Sequence, residues 1–300
     1  MSDKLLIVIA GPTAIGKTTC AIQIAQKLQT EILSCDSRQL YKELNIGVAK
    51  PSQAELAAVK HHFIDHISIT EKFSAGIYER EAIGLITKLF EQYDHLILTG
   101  GTGLYIRAVL EGLDEFPNVP TGDTDYYSSL LSSEGIESLQ EELKMKDLQY
   151  FSEVDIHNSR RLIRALSVIR SSGQTFSSFR NRKPKERNFK VLPIQITMDR
   201  DQLYNRINQR VDLMLKEGLL AEVESLLPQK DLLSLQTVGY SELFQYLDNK
   251  IELEEAIELI KRNSRRYAKR QITWFTNNGD FVKVPSNDTN QILQLINDKK

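Results

Sequence analysis

The stretch Lys4-Leu-Leu-Ile-Val-Ile-Ala10-Gly11-Pro-Thr-Ala-Ile-Gly16-Lys17-Thr18 decides the fold. From Lys4 to Ala10 the run is short, β-branched and continuously apolar, the pattern of a strand buried on both faces of a parallel sheet. It stops at Gly11-Pro12. From Lys17 to Leu28, apolar Ala21, Ile24, Ala25 and Leu28 fall on one helical face. The residues between fit G-x-x-x-x-G-K-[ST]. Its glycines let backbone N–H groups converge on phosphate oxygens at a helix N-terminus; the lysine reaches the outer phosphates and the hydroxyl holds Mg²⁺. Gly11, Pro12, Thr13, Ala14, Ile15, Gly16, Lys17 and Thr18 are thus the expected phosphate cradle, with Thr18 as the expected metal ligand. The ligand carries at least a diphosphate, and the pattern does not specify ATP.

Working outward, strand, turn and helix recur. Glu31 to Cys35 ends at Asp36-Ser37, and His95 to Thr99 ends at Gly100-Gly101-Thr102-Gly103 and leads into an apolar helix from Leu104 to Leu110. That alternation predicts a doubly wound α/β core. With the phosphate loop it is a parallel sheet of the P-loop NTPase type. The breaker cluster Phe116-Pro-Asn-Val-Pro120-Thr-Gly122 then changes the pattern. Residues 117–188 read as a helical insertion, so the expected domains are 1–116 with 189–300 as the core and 117–188 apart. Strand character returns at Phe189 to Thr197. A long helix follows Asp199, a plausible N-cap, with Leu203, Ile207, Val211 and Leu215 on one stripe.

The 300 residues, 41% hydrophobic and 26% charged, suit a folded chain of about two domains. The two cysteines, Cys20 and Cys35, sit in no CxxC or Cys/His cluster, against a zinc site or a disulfide-bonded secreted fold. The N-terminal apolar run is too short for a signal-peptide core or a membrane span, so a cytosolic protein is expected. Net charge is −2, but it is segregated: twelve acids and two lysines from Glu111 to Asp155, then ten Lys/Arg and one acid from Ile156 to Lys190. Lys261 to Arg270 adds six cations and no acid. Such segregation fits a basic face for a polyanion, or solvated helix faces.

Asp36 ends the second strand and so projects at the carboxyl edge of the sheet, where ligands bind in open α/β folds. There it serves as general base or water-mediated Mg²⁺ ligand, or merely caps the next turn with Ser37. Thr102 faces the same crevice. Arg206 and Arg210 share a helical face, and spacing alone leaves open whether they clamp a diphosphate or face solvent. His61, His62 and His66 lack supporting Cys or carboxylates, so a metal there is not expected. In the run from Lys261 to Phe275, Arg262, Arg266 and Arg270 recur at helical spacing, and Tyr267 and Trp274 either stack on bases or pack on the core.

In combination these residues resemble the tRNA dimethylallyltransferases, also called tRNA isopentenyltransferases. The resemblance is carried by Gly11-Pro-Thr-Ala-x-Gly-Lys-Thr18, Asp36-Ser-x-Gln-x-Tyr41, Ile46-Gly-x-Ala-Lys-Pro51, His61-His-x-Ile-Asp65, Gly100-Gly-Thr-x-Leu-Tyr105 and Asn158-x-Arg-Arg-x-x-Arg-Ala165. It continues through Arg206-Ile-Asn-Gln-Arg-Val211, Gly239-Tyr240 and Ala268-Lys-Arg-Gln-x-Thr-Trp274. The blocks span nearly the whole chain in family order. Ile15, in a slot more often small and polar, and Arg38, where the family usually has an apolar residue, depart from the pattern.

The resemblance implies transfer of a dimethylallyl group from dimethylallyl diphosphate to N6 of the adenosine 3′ of the anticodon in tRNA, with Mg²⁺. By motif, Lys17 and Thr18 hold diphosphate and metal, Asp36 accepts the amine proton, Thr102 seats the adenine and Arg210 neutralises the leaving group, with Arg206 second. The implied tRNA contacts are Asp36, Ser37, Arg38, Gln39 and Thr102 in the core and Arg160, Arg161, Leu162, Ile163 and Arg164 in the insertion, which closes over the anticodon stem-loop. A monomer without obligate protein partner is expected. Three rivals remain: a P-loop kinase of small metabolites, which has no use for two basic runs; an isopentenyltransferase of free adenine nucleotides, which needs neither insertion nor basic helix; and a non-catalytic RNA-binding module, which leaves Lys17, Thr18, Asp36 and Thr102 without purpose.

Overall fold

The structure, a computed structural model, describes residues 4–180, 183–286 and 288–299. Asn181 and Arg182, which fall within the basic run from Ile156 to Lys190, lie outside the described residues. The chain divides into two units, residues 1–111 with 186–300, and residues 112–185.

The first unit begins with β1 (Leu5–Ala10), α1 (Lys17–Leu28), β2 (Ile32–Ser34), α2 (Gln53–Ala58), β3 (His61–His62), α3 (Ala75–Leu89), β4 (His95–Gly100) and α4 (Gly103–Glu111). The second unit holds α5 (Thr121–Glu134), α6 (Ile136–Lys146), α7 (Leu148–Glu153) and α8 (Ser159–Ser172). The first unit then resumes with β5 (Lys190–Thr197), α9 (Arg200–Lys216), α10 (Leu219–Ser225), α11 (Tyr240–Leu247), α12 (Leu253–Asn277), β6 (Val282–Pro285) and α13 (Thr289–Asn297).

The six strands form one parallel sheet in the order β3-β2-β4-β1-β5-β6. β1 is central, and alternate side chains explain its continuous apolar run: Leu6 and Val8 enter one core, Leu5, Ile7 and Ile9 the other. The chain leaves β1 toward β2 and leaves β4 toward β5, so a crevice opens at the carboxyl ends of β1 and β4, the switch point where open α/β sheets bind ligands. Asp199 caps α9 as its position implies, its Oδ1 accepting from the N–H groups of Asp201 at 2.9 Å and Gln202 at 3.1 Å. The apolar pair Phe63-Ile64 between the histidines reads as strand-like, but β3 lies just before it; β6 escaped the reading because it is a short edge strand without an apolar run. The strand near the histidines is His61–His62, and at Phe63, with φ of 62°, the chain has already turned.

The expected domain limits, 117 and 188, shift to 112 and 185. Packing partners, not the proline cluster, set the border. Phe116 stacks on Phe176 at 4.6 Å and belongs to the helical unit. Arg187 belongs to the sheet unit: it bonds the carbonyls of Ala108 and Val109, each at 2.8 Å, and pairs with Glu79 at 3.2 Å. The helical unit has its own core, including Tyr127, Leu139, Leu143, Leu162, Leu166 and Phe176.

Candidate active site

A cavity of about 410 Å³ opens at the carboxyl end of the sheet, lined on one side by Thr13, Ala14, Gly16, Lys17, Thr18, Arg206 and Arg210. Gly16 takes φ of 100° at the start of α1, a conformation that side chains rarely adopt and that turns the loop back over the helix N-terminus. Lys17 Nζ donates to the Pro12 carbonyl at 2.7 Å. Burial pushes its pKa down to about 8; Asp36 opposes that shift and Arg210 adds to it. Arg210 donates to Thr13 Oγ1 at 3.4 Å, and its pKa too is lowered by burial against the pull of Asp36. The α9 spacing is thereby resolved: both arginines line the cavity.

Asp36 Oδ1 caps the turn after β2, accepting from the N–H groups of Arg38 at 2.9 Å and Gln39 at 3.3 Å. The capping and functional readings are therefore both available, because among the described residues Oδ2 has no hydrogen-bond partner. Ser37 N–H donates to Thr102 Oγ1 at 3.0 Å, so the turns after β2 and β4 are stitched together. Tyr267 lines the cavity; its pKa is pushed up to about 12 by burial and by Asp36.

A further part of the lining comes from residues 45–51, of which Val48, Ala49, Lys50 and Pro51 line the cavity. Sequence reasoning assigned this motif no role. It has no regular secondary structure and is held by side chains. Glu222 accepts from the N–H groups of Ile46 at 2.8 Å, Gly47 at 3.1 Å and Asn45 at 3.3 Å, and from the Tyr240 hydroxyl. Gln39 Nε2 donates to the Val48 and Ala49 carbonyls at 3.2 and 2.9 Å. Lys50 pairs with Asp65. Gly47 is required for space: a Cβ there would lie 2.5 Å from the Tyr240 ring.

Several expectations for nucleic-acid contacts need correction. Leu162 is fully buried in the core of the helical unit, so its side chain offers no contact surface, and Ile163 packs against the same core. Arg160, Arg161 and Arg164 on the same helix are exposed. Arg38 is tied to backbone, donating to the Ser234 carbonyl at 2.8 Å and to those of Leu233 and Gln236 at 3.4 Å. On α12, Lys261 pairs with Asp212 and Glu258, and Arg265 bonds Asn208 at 2.6 Å. Arg262, Arg266, Lys269 and Arg270 are exposed and have no ion pair among the described residues. Each histidine has its own partner: His61 the Val59 carbonyl, His62 Glu31 and His66 Glu81.

Residues 39–278 match the family model described as IPP transferase. The chain belongs to the tRNA dimethylallyltransferase family. It is 50% identical over 273 residues to a tRNA dimethylallyltransferase of Christiangramia forsetii, covering 91% of this chain and 90% of the relative. It is 47% identical over 300 residues to that of Flavobacterium johnsoniae, covering 98% and 97%. The solved full-length tRNA isopentenylpyrophosphate transferase of Bacillus halodurans superposes with a TM-score of 0.72 at 36% identity, over 99% of this chain and 98% of that one. A eukaryotic dimethylallyltransferase acting on tRNA gives 0.78 at 27% identity, over 96% and 75%.

Both departures from the usual tRNA dimethylallyltransferase pattern are structural. Ile15, only 2% exposed, fills the core beneath the phosphate loop, and Arg38 anchors the turn at residues 233–236. Among the described residues no helix is long and apolar enough to cross a membrane.

Proposed function

We propose that the protein transfers a dimethylallyl group from dimethylallyl diphosphate to N6 of the adenosine 3′ of the anticodon in tRNA, releasing diphosphate. The observation that carries this reading is one cavity combining a phosphate loop, the half-buried cations Lys17 and Arg210, and a carboxylate oxygen without a partner among the described residues. Lys17, Arg206 and Arg210 neutralise the diphosphate as the carbon–oxygen bond breaks and charge grows on the leaving oxygen. N6 attacks the allylic carbon; the C–O bond electrons leave with diphosphate, and the N6 proton passes to Asp36. Thr102 orients the adenine, aided by Tyr267. Val48, Ala49, Pro51 and Ile64 give an apolar lining suited to a five-carbon chain.

The donor set suits Mg²⁺, which takes one or two carboxylates plus phosphates and water in preference to an all-protein cage. Thr18 Oγ1 is the oxygen that would hold it, with Asp36 reached through water. When bound it supplies further charge stabilisation to the diphosphate.

The acceptor must leave its stack to enter a cavity, at least cost in a single-stranded loop. Arg262, Arg266, Lys269 and Arg270 in the sheet unit, and Arg160, Arg161 and Arg164 in the helical unit, are the side chains available to tRNA phosphates. In this reading the helical unit contacts the anticodon stem-loop, and the enzyme is a cytoplasmic monomer. Labelled dimethylallyl diphosphate offered with Mg²⁺ and unmodified tRNA, AMP or ATP tests the proposal. Label is expected in tRNA alone, beside the anticodon. Label in a free nucleotide would reassign the acceptor, and no transfer would return attention to a kinase.

A further inference from the structure

We infer that Gln271 is a positioning residue that locks the phosphate loop to the turn carrying Thr102. The inference rests on the reading above, in which diphosphate sits on residues 11–18 and the acceptor beside Thr102. On α12, Tyr267, Gln271 and Trp274 are spaced to form one stripe, and that stripe lies along the Gly100–Gly103 turn. Tyr267 lines the cavity. Gln271 Nε2 donates to the Gly101 carbonyl at 2.9 Å. Trp274 packs where a Cβ on Gly103 would lie 2.3 Å from its ring.

The other end of the same amide reaches the phosphate loop: Gln271 Oε1 accepts from Thr13 N–H at 2.9 Å. Only this orientation of the amide satisfies both partners, since one needs an acceptor and the other a donor. Gln271 is 6% exposed; its bond to Gly101 is buried and its bond to Thr13 half-buried, and loss of the first leaves a buried carbonyl without that donor. Gly101 has no positive φ, and its smallness serves contact: a Cβ there would lie 2.2 Å from Gln271 Nε2. One amide therefore sets the spacing between the loop that carries the leaving group and the turn that carries the acceptor. Thr13 N–H, bonded to Gln271, is occupied with holding the loop. Gln271 touches neither reacting atom in this account; it acts through Thr13 and Gly101.

The test uses full-length enzyme and two readouts: prenyl transfer to tRNA, and inorganic diphosphate binding followed by emission of Trp274, the single tryptophan of the chain. Gln271→Met keeps length and bulk but neither bond. Its kcat is expected to fall about 10- to 100-fold, as for misplaced reactants, while diphosphate affinity changes by less than about tenfold. Gly101→Ala should lower kcat comparably by displacing the amide. In a Gln271→Ala background, where the space is free, adding Gly101→Ala should cost less than about threefold. Wild-type kcat in Gln271→Met, or full additivity of the two changes, overturns the inference. If Gln271→Met does not fold, the isosteric Gln271→Glu, which sets an oxygen against the Gly101 carbonyl, takes its place with the same expected loss and the same overturning result. Failure of wild-type protein to bind diphosphate would instead overturn the reading of the cavity itself.

Discussion

The loops of residues 11–18 and 45–51 line the same cavity and treat charge in opposite ways. Beside the first, the Arg210 guanidinium disfavours the charged form of Lys17, and the nearby carboxylate Asp36 uses one oxygen elsewhere. At the second, the Glu222 carboxylate is saturated by three backbone N–H groups and a phenol, and Lys50 is paired with Asp65. Charge left unsatisfied in a buried place awaits a ligand; charge satisfied from within holds a wall. If so, substitutions on the two sides should fail in different ways.

The sharpest break is Asp36→Ala. Removing the proton acceptor should slow prenyl transfer by about 10²- to 10⁴-fold, with tRNA affinity kept within roughly tenfold, as read by single-turnover transfer and filter binding. A variant of near-normal rate would move the proton to another group.

Next comes the pH dependence of the unsatisfied side. Lys17 is lowered to about 8, so raising pH through that value removes a cation from the diphosphate site. Diphosphate affinity should fall by up to about tenfold per pH unit above about 8, and Lys17→Met should abolish that slope. The sign for stability is the reverse. Between about 8 and the ordinary value of 10.5 the unfolded chain holds more protons on Lys17 than the folded one, so stability gains with rising pH. Ligand-free Lys17→Met should therefore be at least as stable as wild type at neutral pH in thermal melts, while binding diphosphate more weakly and without the fall above about pH 8. A Lys17→Met protein that melts early would place this lysine among the satisfied charges.

On the satisfied side the loss should appear first in stability. Glu222→Gln replaces a carboxylate accepting four hydrogen bonds with an amide that accepts at one oxygen only, and should cost about 1–3 kcal/mol. Gly47→Ala overpacks the Tyr240 ring at a similar cost. Both are read by denaturant titration. A stable Glu222→Gln variant with transfer reduced as far as in Asp36→Ala would erase the distinction between the loops.

The same contrast explains what could be read from sequence. Gly11 to Thr18, Asp36, Thr102 and Arg210 announce themselves because their chemistry requires those residue types next to a strand end; of these, Thr13, Ala14, Gly16, Lys17, Thr18, Asp36 and Arg210 line the cavity, and Thr102 is joined to the turn of Asp36 through Ser37. Gln271 and Glu222 carry no such mark. Their backbone partners lie 170 to 258 and 175 to 177 residues away, so their meaning exists only after folding. The signal available for Gln271 was its stripe with Tyr267 and Trp274, hidden within a run that reads as basic. The misplaced contacts have one cause: motif position says nothing about which way a helix turns, so Leu162 went to the core while the arginines around it face water. The core strands were legible through their apolar runs, the edge strands His61–His62 and Val282–Pro285 were not.

The smallest expected effect separates free from spent charge within α12 itself. Arg266 is exposed and has no ion pair among the described residues, whereas Lys261 is held by Asp212 at 2.9 Å and Glu258 at 3.2 Å. Each phosphate neutralised by a bound protein adds about 0.7 to 0.9 to the slope of log affinity against log salt. Arg266→Ala should therefore flatten the slope for tRNA by about that amount and weaken binding alike for different tRNAs, because a phosphate contact carries no base information. Lys261→Ala should leave the slope unchanged, since its charge is already balanced, and should act only through lost packing and ion pairs at the α9–α12 contact. Equal slopes for Arg266→Ala and wild type would make the exposed stripe a merely solvated face and leave the arginines of α8 as the cations available to tRNA.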